Sequence, residues 1–127
     1  IDPRPEFASD ERFPGADLRH TPFERAFDGV ELSARDAVVI LTPEHSHDET
    51  VLRLALASAA GYVGMIGSRR KVGVIRERLR EDGYGADQLD RVHAPIGLDI
   101  AAETPAEIAL AIVAEIVSVI RGGGARR

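Results

Sequence analysis

From residue 36 to residue 120, short unbroken apolar runs alternate with longer stretches in which apolar residues return every three or four positions. "DAVVILT" (36–42) is an apolar run between polar ends, the pattern of a strand covered on both faces. In "SHDETVLRLALAS", Leu52, Leu56 and Ala59 recur at helical intervals with Ala55 beside them, and Ser46 and Glu49 stand at capping-box spacing. "YVGMIG" (62–67) repeats the buried-strand pattern. "SRRKVGVIRERLREDG" predicts a helix capped by Ser68, with Val72, Ile75 and Leu79 on one face and Gly83 just past its end. A helical turn over 86–92 leads to "HAPIG" (93–97), a third strand or extended segment. "TPAEIALAIVAEIVSVI" carries the clearest helix signal: Thr104 caps it, Pro105 opens it and Glu107 completes a capping box. Ile108, Ile112, Ile116 and Val119 are expected to form its buried face.

Two segments escape this alternation. Residues 3–35 are broken by Pro3, Pro5, Pro14, Gly15, Pro22 and Gly29, which predicts loops, turns and one short strand over 18–23. Glycine-rich, charged "RGGGARR" predicts a flexible tail over 122–127, leaving one domain over 1–121. Strand, helix, strand, helix, strand, helix implies an α/β fold with a mostly parallel sheet and flanking helices. Ligands of such sheets bind beyond the carboxyl ends of the strands, so the residues just after each strand are the ones to inspect.

Composition narrows the function. A net charge of −5 argues against a general affinity for nucleic acid or anionic membrane. With no cysteine there is no disulfide framework and no thiolate metal site, and the cytoplasm is the expected setting. No apolar stretch approaches the roughly 18 residues of a membrane span.

Four stretches carry candidate chemistry. At 67–71 ("GSRRK"), Gly67 permits a tight turn, while Ser68 and the first helical amides offer hydrogen-bond donors. Arg69, Arg70 and Lys71 oppose the helix dipole there, which suggests an anion; a solvated basic turn is the alternative. At 42–49 ("TPEHSHDE"), His45, His47 and Asp48 invite a metal. But helical ligands stand at i and i+3 or i+4, and the two histidines lie two apart around a helix start, which leaves a metal site the weakest reading. Thr42 and His45 as ligand-facing groups, and plain helix capping, both remain open. Asp99 lies between the third strand and the last helix, where it could accept from a ligand, pair with an arginine or bond its own turn. Asp2 closing a strand, followed by Arg4, would suit ribose hydroxyls and a 2′-phosphate. No G-x-S-x-G or G-x-G-x-x-G is present, and no nucleophile can be argued from these residues.

Together, "YVGMIGSRRK", "HAPIGLDI" and "TPAEIALAIVAEIV" resemble the C-terminal domain of the XdhC/CoxI family, accessory proteins of xanthine dehydrogenase and carbon monoxide dehydrogenase. "IDPRPEF" and "ERFPGAD" fit the same resemblance, which spans nearly the whole chain. Two positions depart from it: Pro43 replaces a histidine frequent after the threonine, and Ala101–Ala102 replace a frequent Gly-Ala. The resemblance implies a Rossmann-like fold. It also implies a protein that binds the molybdenum cofactor (molybdopterin, with or without a dinucleotide extension), protects it during sulfuration and helps insert it into an apo-hydroxylase. A cofactor sulfurase would be a further partner. The residues it would carry into cofactor binding are Asp2, Arg4, Thr42, His45, Gly67, Ser68, Arg69, Arg70 and Asp99.

In that family a first strand and a glycine-rich turn precede the "DPR" segment. Their absence here leads to the expectation of a fragment whose missing N-terminal part would pair beside the 36–42 strand. An exposed edge would also favour a homodimer. Two other functional classes stand beside the chaperone reading: an NAD(P)-dependent oxidoreductase domain, and a docking domain without a cofactor of its own.

Overall fold

A computed structural model describes residues 1–43 and 45–122, apart from the side chains of His45 and Ser46. Three parallel strands form one sheet among the described residues, in the order β1 (Ala37–Ile40), β2 (Tyr62–Met65), β3 (Val92–His93). Ala37 is level with Tyr62 and Ile40 with Met65, and Gly64 is level with His93. Among the described residues, four helices flank or follow these strands: α1 (His45–Leu56), α2 (Arg69–Glu81), α3 (Ala86–Asp90) and α4 (Pro105–Ile120).

The strand period of two divides the sheet residues between two faces. Val38, Ile40, Val63, Met65 and Val92 join Leu52, Ala55, Val72, Ile75 and Leu79 of α1 and α2 in one apolar core. Burial of a side chain such as Leu52 or Leu79 contributes roughly 1.5–3 kcal/mol. Tyr62, Gly64 and His93 face the other way, where Tyr62 meets α4. α4 packs over β2, whereas β1 alternates exposed and buried residues, and Val39 is 38% exposed. The expected double coverage therefore holds for β2, buried at all four positions, and fails for β1.

Local chemistry sets the helix ends. Ser68 accepts the Lys71 amide at 3.2 Å, and α2 ends in a Schellman motif: Gly83 N–H donates to the Arg80 carbonyl and Tyr84 N–H to the Leu79 carbonyl. Gly83, at φ +96°, is the expected C′ residue. α4 has the full capping box, Thr104 accepting from Glu107 N–H and Glu107 from Thr104 N–H. Its buried face centres on Ala111, Ile112 and Glu115, with Ile108, Ile116 and Val119 half-buried.

Three expectations shift. α1 starts at His45, which places Ser46 inside the helix instead of at its cap. The third strand is Val92–His93, and 94–98 continue without a strand ladder, although Ile96 N–H still donates to the Met65 carbonyl at 3.0 Å. Residues 18–23 form no strand; a 3-10 turn, Phe23–Arg25, puts Phe23 into the core instead. Proline at 22 removes a backbone donor that a ladder would need. Of the expected tail, 123–127 lie outside the described residues.

Candidate functional site

The carboxyl edge of the sheet gathers the candidate residues, but into two separate cavities. The first, about 640 Å³, is walled by 94–102, by Arg69 at the start of α2 and by Ile108 and Ala111 of α4. The second, about 570 Å³, runs along the unpaired edge of β1 and is lined by Ile1, Asp2, Phe13, Val39, Leu41 and Thr42 among others. Arg69 and Asp99 thus share one cavity, and Asp2 and Thr42 share the other. Both volumes are in the range of small-molecule sites.

Gly67 makes the β2–α2 turn with φ +154°, a conformation that favours glycine. After it, Ser68 is engaged as the cap, while Arg69 and Arg70 are exposed and have no carboxylate partner among the described residues. Helix α2 has no acid in its first turn, so nothing there offsets these two cations against the positive helix end. Lys71 behaves differently. Its ammonium turns inward to Asp48 Oδ2 at 3.0 Å, so the basic turn presents two cations outward instead of three.

Asp48 is the residue whose role sequence reasoning missed. It is fully buried, takes the Thr42 hydroxyl on Oδ1 and Lys71 on Oδ2, and so ties the end of β1 and the start of α1 to α2. Burial pushes its carboxyl above the ordinary range and pushes the Lys71 ammonium down, while their contact favours the charged forms. The sequence signal was a threonine six residues before an acid with a basic turn downstream, which a first-turn acid explains equally well. His47 packs its ring against Phe23 at 4.9 Å. No group of three or more metal-ligating residues occurs among the described residues, and the His45 side chain lies outside them.

Asp2 is engaged locally. Arg4 donates Nε and Nη2 to its carboxylate at 3.0 and 2.8 Å, and the Arg4 amide adds a third bond at 2.9 Å. The Arg4 hydrogen bond holds the Asp2 carboxyl below its usual range. A ribose would have to compete with that fork. Asp99 is the opposite case: exposed, on the wall of the first cavity, and with no hydrogen bond or ion pair among the described residues. Neither the arginine pairing nor the turn bond left open for it is formed. Close by, Ala101 adopts φ +56°, a left-handed conformation in which a Cβ costs about 1–2 kcal/mol. Its neighbours in the loop include Gly97, at φ +96°.

The site is a cavity with the uncompensated Arg69 on its wall, Arg70 next to it in the same exposed helix start, and one free carboxylate, Asp99, on the loop wall. Such a set suits an anionic ligand, phosphate above all, that also carries hydrogen-bond donors for Asp99.

The sequence pattern of the XdhC Rossmann domain matches residues 1–116. The chain is 35% identical over 107 residues to the uncharacterized protein YqeB of Escherichia coli strain K12, covering 84% of the chain and 19% of YqeB. It is 32% identical over 115 residues to a protein of Bacillus subtilis strain 168 described as a probable xanthine dehydrogenase subunit, covering 90% of the chain and 33% of that protein. The molybdenum cofactor insertion chaperone PaoD of E. coli strain K12 is 27% identical over 90 residues, 71% of the chain and 28% of PaoD. A crystal structure of a xanthine dehydrogenase from Bacillus halodurans matches with a TM-score of 0.73 and 30% identity, over 94% of this chain and 34% of that one. The chain spans a third or less of the length of the curated relatives it matches. No helix among the described residues is long and apolar enough to cross a membrane.

Proposed function

The chain belongs to the XdhC Rossmann-domain family, and on that premise we propose that it is the cofactor-holding part of an accessory protein for a molybdenum hydroxylase. In this reading the molybdenum cofactor is cargo. Its phosphate sits against the amides of Arg69 and Arg70 and their guanidinium groups, and its pterin lies in the 640 Å³ cavity with Asp99 as acceptor for ring amino groups. The observation that carries the reading is the uncompensated pair Arg69–Arg70. Two exposed cations at the positive end of a helix oppose folding unless an anion meets them. Thr42, His45, Gly67 and Ser68 contribute in this reading by shaping the same sheet edge, and Asp2 by closing the neighbouring cavity, with Arg4 holding its carboxylate. The partner that receives the cofactor is an apo-hydroxylase of the xanthine dehydrogenase type.

The test is equilibrium ultrafiltration with purified molybdenum cofactor, comparing the native chain with Arg69→Ala/Arg70→Ala. Loss of two charge-assisted contacts predicts an affinity drop of about 10- to 100-fold. The urea midpoint should stay level or rise, because two like charges leave a helix start. Unchanged affinity would refute the reading. Lost binding to the hydroxylase with cofactor binding intact would make the basic turn a docking element instead.

A further inference from the structure

Glu115, on the buried face of α4, is only 1% exposed, and the binding reading leaves it without a role. A buried carboxylate persists when its oxygens are hydrogen-bonded. Tyr62 Oη donates to Glu115 Oε1 at 2.7 Å, and the Gly97 amide donates to the same oxygen at 3.1 Å. His93 Nδ1 lies 3.9 Å from that oxygen, and its ring stacks on Tyr62 with centroids 4.9 Å apart and planes within 7°. Gly64 makes this route passable. A Cβ there would stand 2.6 Å from Tyr62 Oη and 2.6 Å from Ile96 Cδ1, so Tyr62 can lie along its strand only because residue 64 has no side chain.

Gly97 belongs to the wall of the 640 Å³ cavity. The loop is pinned at three successive residues: Ile96 N–H to the Met65 carbonyl at 3.0 Å, Gly97 N–H to Glu115, and Leu98 N–H to the Ala111 carbonyl at 3.2 Å. Two of these pins are backbone to backbone. The middle one alone depends on a side chain, and it adjoins the stretch that carries Asp99.

We infer that Glu115 is a positioning residue of the cavity: by holding the Gly97 amide it sets where the 94–102 loop, and Asp99 with it, stands relative to Arg69. The inference rests on reading this cavity as the ligand site. Tyr62 is the second donor that keeps the carboxylate oriented, and the stacked His93 ring keeps Tyr62 in place.

Amide hydrogen exchange at Gly97, followed by NMR on the full chain, tests the pin without any ligand, and ultrafiltration with molybdenum cofactor tests its consequence. Glu115→Leu should speed Gly97 exchange about 10- to 100-fold and weaken cofactor binding about tenfold, with Val63 and Met65 amides unchanged. Glu115→Gln keeps a carbonyl acceptor and should restore both values to within about threefold of native. Tyr62→Phe removes the second donor that orients the carboxylate and should speed Gly97 exchange, by less than Glu115→Leu does. Native exchange at Gly97 in Glu115→Leu would overturn the inference, as would faster exchange with undiminished affinity. If the leucine variant does not fold, Glu115→Asp decides: it keeps the charge but withdraws the acceptor from Gly97 by one methylene, so Gly97 exchange identical to native overturns the pin. If the native chain binds no cofactor, the functional reading fails, while the exchange result still judges the pin.

Discussion

At Asp48 burial and pairing pull in opposite directions. Burial raises its carboxyl pKa and lowers that of Lys71, and the 3.0 Å contact between them opposes both shifts. A carboxyl whose folded pKa is raised adds stability below its unfolded value of 3.8 and loses it as pH rises through the folded value. Lys71→Met should therefore destabilise by on the order of 3 kcal/mol at neutral pH, where the buried carboxylate loses its ammonium partner. The loss should shrink in acid as Asp48 is protonated. Urea unfolding at several pH values checks this, and a loss of equal size throughout would contradict it. Asp2 has the opposite sign: Arg4 lowers its carboxyl, so its contribution is present above 3.8 and disappears as pH falls through the lowered value. The two arrangements differ in how far they could be read from spacing. Asp2 and Arg4 are two residues apart and their fork is a local event. Asp48 and Lys71 are 23 residues apart and meet only because β1 and β2 are neighbours.

At the scale of elements, what was legible is what is local. The cap at Ser68, the stop at Gly83 and the capping box of α4 all depend on residues within a turn of each other, and all form. Coverage of strands is not local. "DAVVILT" and "YVGMIG" read alike, yet β2 is buried on both faces and β1 on one, because α4 crosses over β2. Glu115 belongs to the same class of problem. It is one of two charged residues between 105 and 120, and it falls on the helical face of Ile112 and Val119, a sign of a buried acid that only the position of Tyr62 explains. β2 offers a direct check. Gly64→Ala forces a Cβ against Ile96 and Tyr62 Oη and should cost about 2–3 kcal/mol in urea unfolding. A loss under ~0.5 kcal/mol would show that the sheet and the α4 layer can separate freely there.

For the whole molecule, the parallel order β1-β2-β3 puts every strand end on one rim, as alternating strands and helices imply. That rim was legible from sequence, and its partition was not. Arg69 and Asp99 line one cavity, Asp2 and Thr42 another, since the 94–102 loop folds back on α4 while residues 1–35 close over the β1 edge. The basic turn borders the first cavity, and the ribose-type acid, already forked to Arg4, borders the second. An NMR titration of the chain with molybdenum cofactor shows most directly which of the two takes a ligand, by reporting which backbone amides shift. Cofactor held at the basic turn predicts saturable shifts at 68–71 and 94–102, with those of 37–42 unmoved. Shifts confined to 37–42 and the first residues of the chain, or no saturable shift at all, would contradict it.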